Sequence, residues 1–209
     1  MGWKPLHVLC NNRGVDKGTA MQVLKLLIEK YPEGVRHADN EDRLPIHYAA
    51  GTKSPEFCQV LIEAYPGSEH IIDGIDALPL HWACLEGSLA TVEYLYRLVT
   101  NAIFQATTEG FYPIHYAIIG TCPLFNPTDA MEKVQFLLDC EPNQKRIQSE
   151  GRSLLCFACG TQVNEANIVA RIQVIKVLFD AHPEAIEEIR NVCHHLVQLF
   201  IDGELIYAR

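Results

Sequence analysis

A chain of 209 residues, 48% hydrophobic and 21% charged, holds enough apolar material for a sizeable core, which excludes an intrinsically disordered protein. Its net charge of −9, with no basic run denser than the short NQKRIQ, excludes broad binding to nucleic-acid phosphates and favours a basic protein partner. No stretch approaches the roughly 18 apolar residues of a membrane span, so no membrane contact is expected.

The opening MGWKPLHVLC lacks the charged-then-apolar layout of a secretory signal, and Leu6 stands where a myristoylation motif needs Ser or Thr. The eight cysteines (Cys10, Cys58, Cys84, Cys122, Cys140, Cys156, Cys159, Cys193) are therefore read as reduced thiols of a cytoplasmic or nuclear protein. An exposed Cys122 would be open to oxidation.

In chain order, KPLHVLC from Lys4 predicts a first helix, NNRGVDKGT a loop, and VLKLLIEKYP a second helix stopped at Pro32. The pattern then returns. DNEDR (Asp39 to Arg43) leads into LPIHYAA and CQVLIEAYP; DGIDA (Asp73 to Ala77) into LPLHWAC, a Gly87-Ser88 turn and VEYLYRLVT. TTEGFY (Thr107 to Tyr112) leads into YPIHYAI, an inserted TCPLFNPTD and VQFLLDCEP. SEGR (Ser149 to Arg152) leads into a worn SLLCFAC, an inserted TQVNEANIV and VIKVLFDAHP. Pro45, Pro79 and Pro113 stand 34 residues apart; the longer first and fourth steps are explained by insertions between the two helices. Residues 187–209, around NVCHHLVQLF, predict a last helix with Val192, His195, Leu196, Leu199 and Phe200 on one side, ended by Asp202-Gly203 and capping the array.

A unit of about 33 residues that opens Thr-Pro-Leu-His-x-Ala is the ankyrin repeat, and four copies in register make this chain resemble that family in a divergent Leu-Pro-Leu-His form. The resemblance implies an all-α ankyrin-repeat solenoid of about five helix-loop-helix units with short hairpin-like connectors. The array would span residues 3–186, with units at about 3–40, 41–74, 75–108, 109–149 and 150–186. It also implies that His47, His81 and His115, with Pro45, Pro79 and Pro113, are structural, each histidine tying neighbouring connectors together. The family's opening threonine is replaced by Lys4, Leu44, Leu78 and Tyr112, only Ser153 keeping an aliphatic hydroxyl. The turn is therefore expected to rest on proline's fixed φ and on apolar packing.

Two readings compete for LPLHWACLEG. Cys and His close together could be nucleophile and base, but the place of Cys84 is taken by Cys10, Ala50, Ile118 and Cys159 in the other copies, a set that shares only modest apolar size. The histidine recurs once per unit, as a structural hydrogen bond would. Cys156 and Cys159 form a CxxC, with Cys193, His194 and His195 downstream; without a second CxxC at zinc-ribbon spacing they are read as core. No catalytic residue, metal or cofactor is expected. The aromatics Tyr48, Trp82, Tyr116 and Phe157 read as core rather than as a ligand-stacking ladder, Trp82 keeping an edge on the partner side.

Function is expected in protein–protein interaction through the concave face and connector tips, whose middle residues vary on a repeated frame. The expected partner-binding residues are Asn40, Glu41, Arg43, Ile75, Ala77, Trp82, Glu109, Phe111 and Arg152. The alternative is a targeting or regulatory segment of a larger enzyme or signalling protein. The first helix opens without a polar cover, so self-association at that end, a fragment and a continuation into a further domain are all open.

Overall fold

Proline opens the first four of the short helices that begin each repeat. In the computed structural model, which describes residues 2–121, 129–141, 148–149, 152–160 and 167–185, these are α1 (Pro5–Asn11), α3 (Pro45–Thr52), α5 (Pro79–Glu86) and α7 (Pro113–Ile119). Proline at the first helical position lacks only an N–H that would have no helical partner there. The second helices are α2 (Lys17–Lys30), α4 (Pro55–Ala64), α6 (Leu89–Leu98), α8 (Ala130–Cys140) and α10 (Ile168–Ala181), and α9 (Leu154–Gly160) opens the fifth copy. Every described element longer than two residues is helical; β1 (Gln148–Ser149) and β2 (Arg152–Ser153) pair antiparallel with Ser149 opposite Arg152.

Side-chain acceptors start two of the second helices: Asp16 takes the amide of Thr19 at 3.0 Å, and Ser88 takes that of Thr91 at 3.3 Å. At the far end of α2 the expected stop is more than a stop. Pro32 begins a 3-10 turn over Pro32–Arg36, and comparable turns follow at Ser68–His70, Thr100–Phe104 and Pro183–Ala185. The third arises at Val99-Thr100 with no proline, so proline assists this turn without being required for it.

The chain divides into two compact units, residues 1–116 and 117–209. In the first, α3 packs between α1 and α5, and α4 between its own α3 and the neighbouring α6. Helices of seven or eight residues are too short to persist alone, so this packing supplies their stability. The contacts are made by small buried side chains: Cys10, Ala49, Ala50, Cys58, Ala83 and Cys84 have no accessible surface. Hydroxyls lock the same layers on the side opposite the connectors. Thr52 Oγ1 donates to the Cys10 carbonyl, and Thr91 Oγ1 donates to that of Lys53 at 3.1 Å.

In the second unit α10 packs on α8 and α9 around Val134, Leu137, Leu154, Val174 and Leu178. The stem of Arg171 is buried there and its Nη1 donates to the Ala158 carbonyl at 3.4 Å. Cys122, the predicted capping helix at 187–209 and the Cys193-His194-His195 group lie outside the described residues.

Close approach of α3 and α5 makes Gly87 a test of this packing. A Cβ there would lie 2.4 Å from the Ala50 carbonyl oxygen and 2.8 Å from that of Ala83. Both are backbone atoms that cannot swing aside, so Gly87→Ala is expected to lower stability by about 1–3 kcal/mol. Urea denaturation checks this; an unchanged midpoint would mean that the helices are not packed as described.

Candidate functional site

The residues with chemistry to offer are the repeated histidines, the neighbouring cysteine and the connector side chains. Each histidine is the third residue of its helix, and its Nδ1 accepts the N–H of the residue before the proline. The bonds are Lys4 to His7 at 3.0 Å, Leu44 to His47 at 2.9 Å, Leu78 to His81 at 3.0 Å and Tyr112 to His115 at 3.1 Å. This is half of a capping box, with imidazole doing what a Glu side chain usually does; Leu44 and Leu78 have no acceptor for the other half.

Because Nδ1 accepts, the ring proton sits on Nε2, and at His7, His47 and His81 it donates across to a carbonyl in the next connector or two residues ahead of it. His47 reaches the Ile71 carbonyl at 3.0 Å, His81 that of Gln105 at 3.2 Å, and His7 that of Arg43 at 3.1 Å. All four rings are buried, and burial holds them below the ordinary imidazole pKa, His81 and His115 at about 4. At His7, His47 and His81, a neutral ring with both nitrogens engaged is not a free base at pH 7. Cys84 beside it is fully buried, and burial pushes the thiols of Cys10 and Cys58 well up from their usual range. Cys156 and Cys159 are 3% and 6% exposed, in the core of the second unit. LPLHWACLEG is a joint.

The connectors are hairpins with one internal design. The Asp39 amide donates to the Arg43 carbonyl at 3.0 Å, Asp73 to Ala77 at 3.0 Å and Thr107 to Phe111 at 2.9 Å. One residue of each turn is left-handed: Asp42 (φ 55°), Asp76 (φ 62°) and Gly110 (φ 78°). Contrary to expectation, apolar packing and proline do not hold these turns unaided. Asp39 Oδ1 accepts the amides of Glu41 and Arg43 at 2.9 and 3.0 Å, and Asp73 Oδ1 those of Ile75 and Ala77 at 3.0 and 2.9 Å. The second oxygen binds the aromatic of the following helix, Tyr48 Oη to Asp39 at 2.6 Å and Trp82 Nε1 to Asp73 at 2.9 Å. Thr107 has the same place, its hydroxyl accepting the Phe111 amide at 3.2 Å. Burial alone would raise the Asp39 pKa, but the Tyr48 hydroxyl and the two amides outweigh it and hold the carboxyl below its usual range. The bracing role has a signal in the sequence, the 34-residue spacing of Asp39, Asp73 and Thr107.

Neighbouring connectors are also bonded to each other, Gly74 N–H to the Glu41 carbonyl at 2.9 Å and Thr108 N–H to that of Ile75 at 3.0 Å. Between them Arg43 lies over the rings of Tyr48 (5.1 Å) and Trp82 (5.4 Å) and pairs with Asp39 and Glu41. Tyr116 meets Trp82 edge-on at 6.3 Å.

Of the residues expected to face a partner, Asn40, Glu41 and Glu109 are exposed, Ile75 is 39% exposed, and Arg43, Trp82 and Phe111 are half-buried. Ala77 does not belong among them. Its exposure is 0% because its amide turns in to Asp73 and its methyl faces the core. The backbone of Arg152 lies in β2 of the second unit, and its side chain is outside the described residues. Pro45, His47, Pro79, His81, Pro113 and His115 are all buried at helix starts. Nothing in the sequence distinguished Ile75 from Ala77, two positions apart in one turn.

Acid should loosen the histidine joints. An unfolded histidine titrates near 6.5, the native rings of His81 and His115 near 4, so between those values the unfolded chain binds protons that the native chain does not. Stability from these groups is complete above about pH 6.5 and falls as pH drops toward about 4, by up to ~1.4 kcal/mol per pH unit for each ring. Urea midpoints measured across that window check this; a midpoint independent of pH would contradict it. Asp73→Ala, which strands two turn amides and the Trp82 indole, is expected to cost about 2–4 kcal/mol. Asp76→Gly, relieving a left-handed turn residue, should be neutral or stabilising by comparison.

Neither the protein-family models nor the curated proteins include a match to this chain.

Proposed function

We propose that the chain is an ankyrin-type repeat array that binds a partner protein through its connector tips and the adjoining concave face, without catalysis of its own. The observation that carries this reading is the connector: the same braced hairpin is built at Asp39, Asp73 and Thr107, and it offers a different set of side chains each time. Glu41 and Asn40 stand at the first tip, Ile75 at the second and Glu109 with Phe111 at the third. A rigid frame with variable exposed tips suits recognition, because little side-chain and loop freedom is lost on binding. Ile75 is an apolar side chain held outward by a turn that has no other use for it.

The partner is a protein with a basic contact surface, in the cytoplasm or nucleus. Residues 39–116 carry eleven Asp and Glu against three Lys and Arg. Of those three, Arg43 is engaged by Asp39, Glu41 and two rings, and Lys53 donates to the Asn12 carbonyl and lies over Phe57. Among the described residues no helix is long and apolar enough to cross a membrane.

Affinity capture with the intact chain, followed by the same capture with Ile75→Asp and Phe111→Ala, tests this reading. Each tip change is expected to weaken the captured partner by more than about 1 kcal/mol, as for an interface anchor. Retention of the partner by both, with its loss in Glu63→Lys or Glu93→Lys on α4 and α6, would move the binding surface to the second helices.

A further inference from the structure

Arg43, expected among the partner contacts, keeps its side chain turned in, only 17% exposed. Its guanidinium lies 5.1 Å from the ring centre of Tyr48, in its own copy, and 5.4 Å from that of Trp82, in the next. Nε stands 3.6 Å from Asp39 Oδ2, and Nη2 pairs with Glu41. A planar guanidinium suits this place, because rings take its faces while the N–H groups in its plane reach carboxylates. An ammonium group has no such plane.

Each of these neighbours is itself tied to a connector tip. Asp39 braces the first connector through the amides of Glu41 and Arg43. Glu41 stands at that tip, and its carbonyl takes the Gly74 amide at 2.9 Å. On the other side, the Trp82 indole donates to Asp73 Oδ2 at 2.9 Å, and Oδ1 of the same carboxylate takes the Ile75 amide at 3.0 Å. A path of direct contacts therefore runs from the first tip through Arg43 and Trp82 to Ile75 at the second. The next joint is built differently: Ala77 has the place of Arg43, and Trp82 and Tyr116 meet each other edge-on at 6.3 Å.

Resting on the reading that the tips contact the partner, we propose that Arg43 is a positioning residue of that surface: its guanidinium fixes Trp82, and through Asp73 the second tip, relative to the first. It acts through Trp82 and not by touching the partner. Without the guanidinium, Asp73 is left to hold the indole alone, so the indole bond and the turn amides on the same carboxylate open more often. The two tips then cease to be one pre-set surface, and the freedom they gain is lost again on binding.

Hydrogen exchange in the 209-residue chain, with no partner present, tests this at the Gly74 and Ile75 amides and at the Trp82 indole N–H. The chain has two tryptophans, and Trp3→Phe assigns the indole signal. Arg43→Met keeps an apolar stem but removes plane and charge; all three sites are expected to exchange at least tenfold faster, while amides within α4 and α6 keep their rates. Arg43→Lys restores the charge without the plane, and its rates are expected to stay within threefold of those of Arg43→Met. Because no partner enters the measurement, its failure leaves the tip-binding reading standing; that reading fails separately, if Ile75→Asp and Phe111→Ala retain the partner. Parent rates at the three sites in Arg43→Met, or in Arg43→Lys, overturn the proposal. So does a rise shared equally by α4 and α6, which would make Arg43 a contributor to overall stability alone.

Discussion

In each of the first three copies one imidazole holds a helix start and the approach to the next connector at the same time. Nδ1 takes the N–H of the residue before proline and, at His7, His47 and His81, Nε2 gives its proton to the carbonyl of Arg43, Ile71 and Gln105, in the following connector or two residues ahead of it. The geometry demands a neutral ring in a single tautomer, because a second proton on Nδ1 would face an N–H. It also makes the stability of each copy depend on its neighbour, as in arrays governed by nearest-neighbour contacts. Asp39 and Asp73 add a second anchor from the opposite side, binding two turn amides and the aromatic of the next helix. Helix start, connector and aromatic ladder are therefore one hydrogen-bonded assembly, and the left-handed residues Asp42 and Asp76 are held in place by it.

That assembly separates what must stay fixed from what is free to vary. The buried side chains near the joint, Cys84, Ala83 and His81, have no room for a substrate and no unengaged ring nitrogen to use on one. Side chains at Asn40, Ile75 and Glu109 leave the frame exposed, where a change alters the surface without touching the turn-bracing bonds of Asp39, Asp73 and Thr107. The recognition function proposed here follows from that division of labour.

Much of the frame was legible because it repeats. Proline at 5, 45, 79 and 113 with histidine two residues on marks every one of these helix starts, and the apolar period of VLKLLIEKYP and its copies marks the second helices. The bracing of the connectors was harder to read. Asp39 acts on Tyr48 nine residues away, a bond that exists only once helix and turn have folded against each other, and two aspartates at loop positions look like ordinary solvated charges. Ala77 was misplaced for a related reason: the left-handed Asp76 between them breaks strand alternation, so Ile75 and Ala77 face different ways, and a five-residue stretch shows no period from which to tell that. The pairing of Arg43 with two rings likewise needs both Tyr48 and Trp82, which stand 34 residues apart.

The histidine tautomer is the most direct test of this account. Nitrogen-15 long-range correlation spectra at pH 7 distinguish a protonated from an unprotonated ring nitrogen for each histidine. The account predicts that His47 and His81 are fixed with the proton on Nε2 and Nδ1 bare, neither averaging between tautomers nor charged. Rings protonated on Nδ1, or exchanging between the two forms, would contradict the double-ended bond on which the repeated joint is built.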